Sequence, residues 1–384
     1  MFLVACSGNE DSAGESTTTG APTSAPTTTP TGAAFPGGLT LSDTPDANGL
    51  LLPAGFESRI VATSSMPIAA TGYVWPGWPD GAATFDDPEV DGGWYMAVNH
   101  ELPDTNGGGV SSLRFDADGE VVDSYRLLEN TGLNCAGGGT PWGTWLSCEE
   151  WEGGLVHECD PTTPGSGSAR PALGRFYHEA VCVDAVDEVL YLTEDRPDGL
   201  FYRFTPDAYP SLESGLLEAA MVDDGGAVTW IEIPDPDAGE QTTRQQVAAT
   251  PFNGGEGIAC GETPDGRRVW FTSKGDDHVR ELDPENQTMT VIYDGSGSLR
   301  GVDNIWWDEA GQLMYVAEDG DDLELYVVAV DGTMAPILQL VGHDGSEIAG
   351  PTLSPDRSTL YFSSQRGTDG NGITFAVTGP FPVA

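Results

Sequence analysis

Positive charge is what this sequence has least of. Against 61 acidic side chains its 384 residues set only 15 basic ones, Lys274 being the sole lysine, and the formal net charge is −46. A surface of that sign repels nucleic acid and anionic membranes, which excludes both as partners. Other absences narrow the chemistry. There is no Gly-x-Ser-x-Gly elbow and no phosphate-binding glycine loop, which argues against serine-hydrolase and nucleotide-fold mechanisms. His157, His278 and His343 have no partner at zinc spacing. No stretch reaches the ~18 apolar residues that a membrane-spanning helix requires. A helical period is missing too, apart from a weak apolar patch at Leu212 to Met221. What is present is a chain long enough for a sizeable core and 39% hydrophobic, so wholesale disorder is excluded. Its acidity has two compatible sources: a solvated surface suited to salt water, and carboxylates that converge on cations.

The N-terminus reads as an address followed by a tether. Leu3-Val4-Ala5-Cys6 resembles a lipobox, so residues 1–6 are a truncated lipoprotein signal with Cys6 as the acylated residue. Residues 7–38 form a linker rich in Ser, Thr, Pro and Gly that cannot bury enough apolar surface to order itself. The expectation is an exported protein, lipid-anchored to the outer face of the cell membrane, with a folded domain over 39–384. Five further cysteines fit an oxidising compartment, with two pairs and one free thiol. Cys159 and Cys182 lie in successive strand-like segments and are the preferred pair, which leaves Cys148 as a thiolate ligand.

From residue 56 onward short β-rich runs alternate with Gly, Pro, Asn and Asp turns. The clearest unit is two strands joined by an acidic turn, at residues 181–195, 258–276, 305–321 and 352–367, each followed by a third strand. Looser copies begin at Trp94 and Thr144. Six such units, spaced near 45 residues apart with a longer insertion at about 205–250, predict an all-β, six-bladed β-propeller. Residues 56–65 would complete the last blade and close the ring.

The repeat also predicts where chemistry sits. The start of a hairpin's first strand and the end of its second share one edge, so residues there face one mouth of the central channel. First-strand starts carry Cys135, Glu179, Glu256, Asp303 and Glu347. Second-strand ends carry Glu101, Cys148 with Glu149 and Glu150, Glu194 with Asp195, Asp276, Glu318 with Asp319, and Gln365. Converging carboxylates cannot stay ionised without cations. Calcium accepts oxygen ligands in irregular geometry, and a thiolate among them favours iron beside it. His100 and His178 each precede a glutamate and read as groups that orient a ligand or satisfy a loop. Trp142, Trp145, Trp306 and Trp307 read as packing between blades.

Asn134-Cys135-Ala136-Gly137-Gly138, followed by Thr140-Pro141-Trp142-Gly143-Thr144-Trp145-Leu146-Ser147-Cys148-Glu149-Glu150, resembles the PhoX family of bacterial alkaline phosphatases. Val98-Asn99-His100-Glu101, Gly174-Arg175-Phe176, His178-Glu179-Ala180, Glu194-Asp195, Asp303-Asn304, Glu318-Asp319-Gly320 and Ser354-Pro355-Asp356 follow the family's order, across roughly residues 50 to 375. The resemblance implies hydrolysis of phosphomonoesters at a calcium–iron cluster in the channel mouth. The metal ligands expected on this basis are Cys148, Glu149, Glu179, Glu194, Asp195, Glu256, Asp303, Glu318 and Glu101. One departure stands out: where the family has Arg-Pro-Glu, this chain reads Gly254-Gly255-Glu256, losing an arginine that contacts phosphate. Arg175, Lys274, Arg366 or Arg300 is expected to substitute for it. The partner is then a small phosphate ester, the protein a monomer, and the membrane is met only through the lipid anchor. Two alternatives remain: another calcium-propeller hydrolase, and a non-catalytic surface module whose metals stiffen the ring.

Overall fold

Six antiparallel sheets succeed one another along the chain in the computed structural model, which describes residues 35–103, 107–320 and 322–382. Blades 1 to 6 span 79–128, 134–169, 178–232, 255–294, 302–340 and 348–378. Strand Glu57–Thr63 pairs with Ile373–Thr378 and supplies the fourth strand of blade 6. Leu50–Leu51 adds likewise to blade 5. N-terminal chain is thus stitched into the last two blades, closing the ring and covering edges that would otherwise be free to pair with other chains. The weak apolar patch near Leu212 is a strand, Ser211–Val222, and its Leu212 and Leu217 pack beside Leu173 and Phe176. Residues expected to begin an insertion at 205 therefore extend blade 3, and only the segment after Glu232 leaves the sheet.

The acidic turns have a local cause. Asp116, Asp184, Asp223, Asp283 and Asp331 each turn the carboxylate back onto backbone N–H groups two to four residues on. Such Asx turns fix tight hairpins, so part of the negative charge is turn chemistry. Between the blades lie large apolar clusters, such as Trp270 against Trp307 with ring centroids 4.4 Å apart.

The first strand of every blade lines the axis. Six strands crowd there, and small residues let them: a methyl group on Gly138 would strike the Val181 carbonyl, and one on Gly257 the backbone of Asn304 and Ile305. What remains is a narrow channel of about 310 Å³. The disulfide joins Cys182 to Cys260, across the first strands of blades 3 and 4, and not Cys182 to Cys159. Cys159 lies on the third strand of blade 2, away from the inner strands, whereas equivalent positions of adjacent inner strands meet around the channel. Cys159 is a free, buried thiol in blade 2.

Candidate metal centre

One irregularity recurs in all six inner strands. Their pairing to the second strand slips immediately after the start, between Pro79 and Ala82, Asn134 and Gly137, His178 and Val181, Gly255 and Ile258, Val302 and Ile305, and Ala349 and Thr352. A bulge frees a residue from the ladder and re-aims its side chain. The residues so freed are Asp80, Cys135, Glu179, Glu256, Asp303 and Gly350. Five carry a carboxylate or thiol. At Gly350 φ is +59°, its N–H donates to Asn304 Oδ1 (2.7 Å), and a Cβ would collide with the Asp80 carbonyl. Blade 6 instead contributes Glu347, which a backbone bridge brings beside Asp319.

The second strands end by a rule of alternation. Their last residues are His100, Glu149, Glu194, Ser273, Glu318 and Ser364, and these turn away from the axis. Glu149, Glu194 and Glu318 each accept the N–H of the residue six positions on, Leu155, Leu200 and Glu324, at 3.2, 3.1 and 2.9 Å. His157 meets Glu149, Tyr202 and Arg244 meet Glu194, and the Arg300 N–H meets Glu318. These glutamates brace the loop leaving the strand. The next residue of each blade, Glu101, Glu150, Asp195, Lys274, Asp319 or Gln365, faces the mouth.

Of the ligands expected from sequence, Glu101, Glu179, Asp195, Glu256 and Asp303 therefore meet at the mouth, and Glu149, Glu194 and Glu318 do not. Asp276 also turns aside, to Ser273 and Arg280. Cys148 is fully buried in the apolar cluster of Leu146, Val156 and Phe176, so the thiol at the mouth is Cys135, 3.3 Å from Glu179 Oε1 and 3.5 Å from Asp80 Oδ2. Asp80 is the one mouth residue that sequence reading passed over. Its strand, Pro79–Asp86, is poor in β-branched residues and was hidden in front of the more obvious strand at Trp94.

Ligating atoms come within 4.8 Å of one another in four overlapping groups at the mouth: Glu101–Cys135–Glu150, Asp80–Glu101–Glu347, Glu179–Glu256–Asp303 and Asp303–Asp319–Glu347. Asp80 Oδ1 and Glu179 Oε2 are buried without a hydrogen-bond donor, and Glu256 Oε1 is met only by the Lys274 ammonium, at 3.1 Å. Burial, reinforced by neighbouring carboxylates, pushes Asp80 up to about 8 and Glu150 up to about 9, and holds Glu179, Glu256 and Glu347 well above the ordinary range. Burial and the same acids raise the Cys135 thiol. Orphaned buried oxygens with suppressed ionisation fit divalent cations, whose charge replaces the missing donors. His100 and His178 are buried, and burial holds both low, His178 at about 3; they bond the carbonyls of Gly77 and Gly174.

Two of the expected cations reach the mouth. Lys274 Nζ lies 3.1 to 3.2 Å from Glu256, Asp303 and Asp319. Arg366 contacts Glu347 at 2.9 Å and Glu101 at 3.7 Å with about a third of its side chain exposed. Arg175 points to Asp237 and the Gly153 carbonyl, and Arg300 to the Leu299 and Gly295 carbonyls. Neither touches the carboxylate set. Arg244, which sequence reading did not single out, ties the segment after blade 3 to Glu194, Glu152 and Asp198.

A family model described as alkaline phosphatase PhoX matches residues 107–288. Among solved structures, Pseudomonas fluorescens PhoX in complex with vanadate, a transition state analogue, aligns with a TM-score of 0.71 at 17% identity, covering 89% of this chain and 98% of that one. The holo form of the pyranose dehydrogenase PQQ domain from Coprinopsis cinerea aligns at 0.48 and 12% identity, over 87% and 98% of the two chains. A luciferin-regenerating enzyme aligns at 0.47 and 13%, over 86% and 97%. No curated protein matches the sequence. By ordered motifs, by the model over residues 107–288 and by its six-bladed fold, this chain resembles the PhoX alkaline phosphatases, phosphoric monoester hydrolases.

Proposed function

We propose that this chain is a metal-dependent phosphoric ester hydrolase of the alkaline-phosphatase type, working at the acidic mouth of the propeller channel. The observation that carries this reading is the convergence of eight carboxyl groups and one thiol on a single mouth, with Asp195 bonded to Glu150 beside them and oxygens of Asp80 and Glu179 buried without a donor. Asp80, Glu101, Glu150, Glu179, Asp195, Glu256, Asp303, Asp319 and Glu347 would hold calcium through oxygen, and Cys135 would hold iron through sulfur. Once bound, such cations neutralise the phosphate and activate an oxygen nucleophile. Protein groups then orient the ester. Arg366, partly exposed at the rim, is the cation best placed to meet a phosphate oxygen and the charge that develops on it. Gly254, at φ +72° beside Asp195, offers no side chain for that role. The loop-bracing glutamates keep the mouth residues on fixed strand ends, so that the site is organised before substrate arrives.

Export, and an anchor at Cys6 that tethers a monomer to the outer face of the membrane, belong to the same proposal. Cys6 lies outside the described residues. No helix among the described residues is long and apolar enough to cross a membrane. The test is hydrolysis of p-nitrophenyl phosphate with calcium present, its inhibition by vanadate, and its loss in Glu179→Gln and Arg366→Ala. Metal binding without turnover on any phosphate ester would reverse the assignment in favour of a metal-stiffened binding module.

A further inference from the structure

Lys274 is the only lysine in the chain, and it stands among three carboxylates of the mouth. In five blades the residue just after the second strand is an acid or an amide at the mouth, and in blade 4 it is this ammonium. Its nitrogen hydrogen-bonds Asp303 Oδ2 (3.2 Å) and Asp319 Oδ2 (3.1 Å), with Glu256 Oε1 at 3.1 Å. Those oxygens come from two of the candidate metal groups, Glu179–Glu256–Asp303 and Asp303–Asp319–Glu347, which share Asp303. The ammonium occupies their junction. Its backbone is fixed as well: the Lys274 N–H donates to the Gly254 carbonyl (2.8 Å), and Gly254 in turn donates to the Arg196 carbonyl (2.9 Å).

We propose that the Lys274 ammonium is a built-in cation of this site, standing where Glu256, Asp303 and Asp319 would otherwise share a divalent ion. The mouth therefore seats one divalent cation fewer than its carboxylates could hold. Lysine suits the task because its ammonium is a compact point charge with three donors, comparable in reach to an ion with oxygen ligands. With two of its three hydrogens given to Asp303 and Asp319, it has little left for substrate, which leaves phosphate to Arg366. The inference rests on the metal-binding half of the proposed function and is independent of turnover.

The test is calcium content per chain after equilibrium dialysis, for the full chain and for Lys274→Gln and Lys274→Arg. Lys274→Gln is expected to hold one calcium more than the unaltered chain, and Lys274→Arg the same number. An unchanged number in Lys274→Gln overturns the inference while leaving metal binding intact. No calcium in either protein overturns both readings, whereas calcium in Lys274→Gln alone supports the inference. Should the variants fail to fold, the unaltered protein still decides. Its only amines are Lys274 and the chain terminus, so acetylation followed by intact mass reports on Lys274 directly. Acetylation of Lys274 is expected to run slower in the folded protein than in the urea-unfolded chain, because its nitrogen is held 3.1 to 3.2 Å from Glu256, Asp303 and Asp319. That protection is expected to be unaffected by calcium. Labelling that accelerates when calcium is added means the metal displaces the ammonium, and the inference fails.

Discussion

At the residue scale, one position separates a ligand from a brace. Glu149 and Glu150 are chemically alike, yet the first accepts the Leu155 N–H and the second faces the channel. Sequence alone located the right strand ends but took Glu149 and Glu318, which turn from the mouth (Glu318 toward Asp322 and Glu324), and took both members in Glu194-Asp195. The cause is the two-residue period of a strand, where a slip of one reverses every side chain. Nothing in composition marks where the ladder stops. The thiol follows the same logic, with Cys135 on a bulge and Cys148 in apolar packing. Cys135→Ser is therefore expected to abolish iron binding. Cys148→Ser is expected to keep iron and lose about 1–3 kcal/mol by burying a hydroxyl without a partner. Elemental analysis and thermal melts of the two variants separate these outcomes, and iron lost only from Cys148→Ser would invert the assignment.

At the element scale, the repeated inner-strand bulge is what turns a structural repeat into a site. Hairpins, their acidic turns and the closing strand at 57–63 were legible in the sequence, because alternation and turn residues are local signals. Bulges were not, since they arise where six strands converge and backbone register yields to crowding. The disulfide was illegible for the same reason, being a contact between blades. The bracing glutamates give a testable division of labour. Glu318→Ala leaves the part-buried N–H groups of Arg300 and Glu324 without their acceptor, and about 1–3 kcal/mol of stability is expected to go with them. Asp319→Ala removes no backbone partner and is expected to change metal content more than melting temperature. Equal effects of the two substitutions on both readouts would contradict the division.

For the whole molecule, the ring concentrates negative charge that the fold alone does not neutralise. Asp80 at about 8 and Glu150 at about 9 keep their protons in the folded state well above the pH at which the unfolded chain releases them. The folded state then binds more protons than the unfolded state between roughly pH 4 and 9, so stability falls as pH rises through that window. Chelator-treated protein is expected to melt at lower temperature at pH 9 than at pH 5, and added calcium to offset the loss most at pH 9. A metal-free protein that gains stability over that range would refute the electrostatic picture. The Cys182–Cys260 bridge closes a loop with a sequence separation of 78, so reduction is expected to cost about 4 kcal/mol by loop entropy. That loss is read in denaturant melts with and without reductant.

The most direct measurement is elemental analysis of protein purified without chelator, with p-nitrophenyl phosphate hydrolysis assayed on the same sample. Calcium together with iron and alkaline turnover is expected in the unaltered chain, with iron and turnover both absent from Cys135→Ala. Protein that carries calcium but neither iron nor turnover would mean that the acidic mouth stiffens a binding propeller and catalyses nothing.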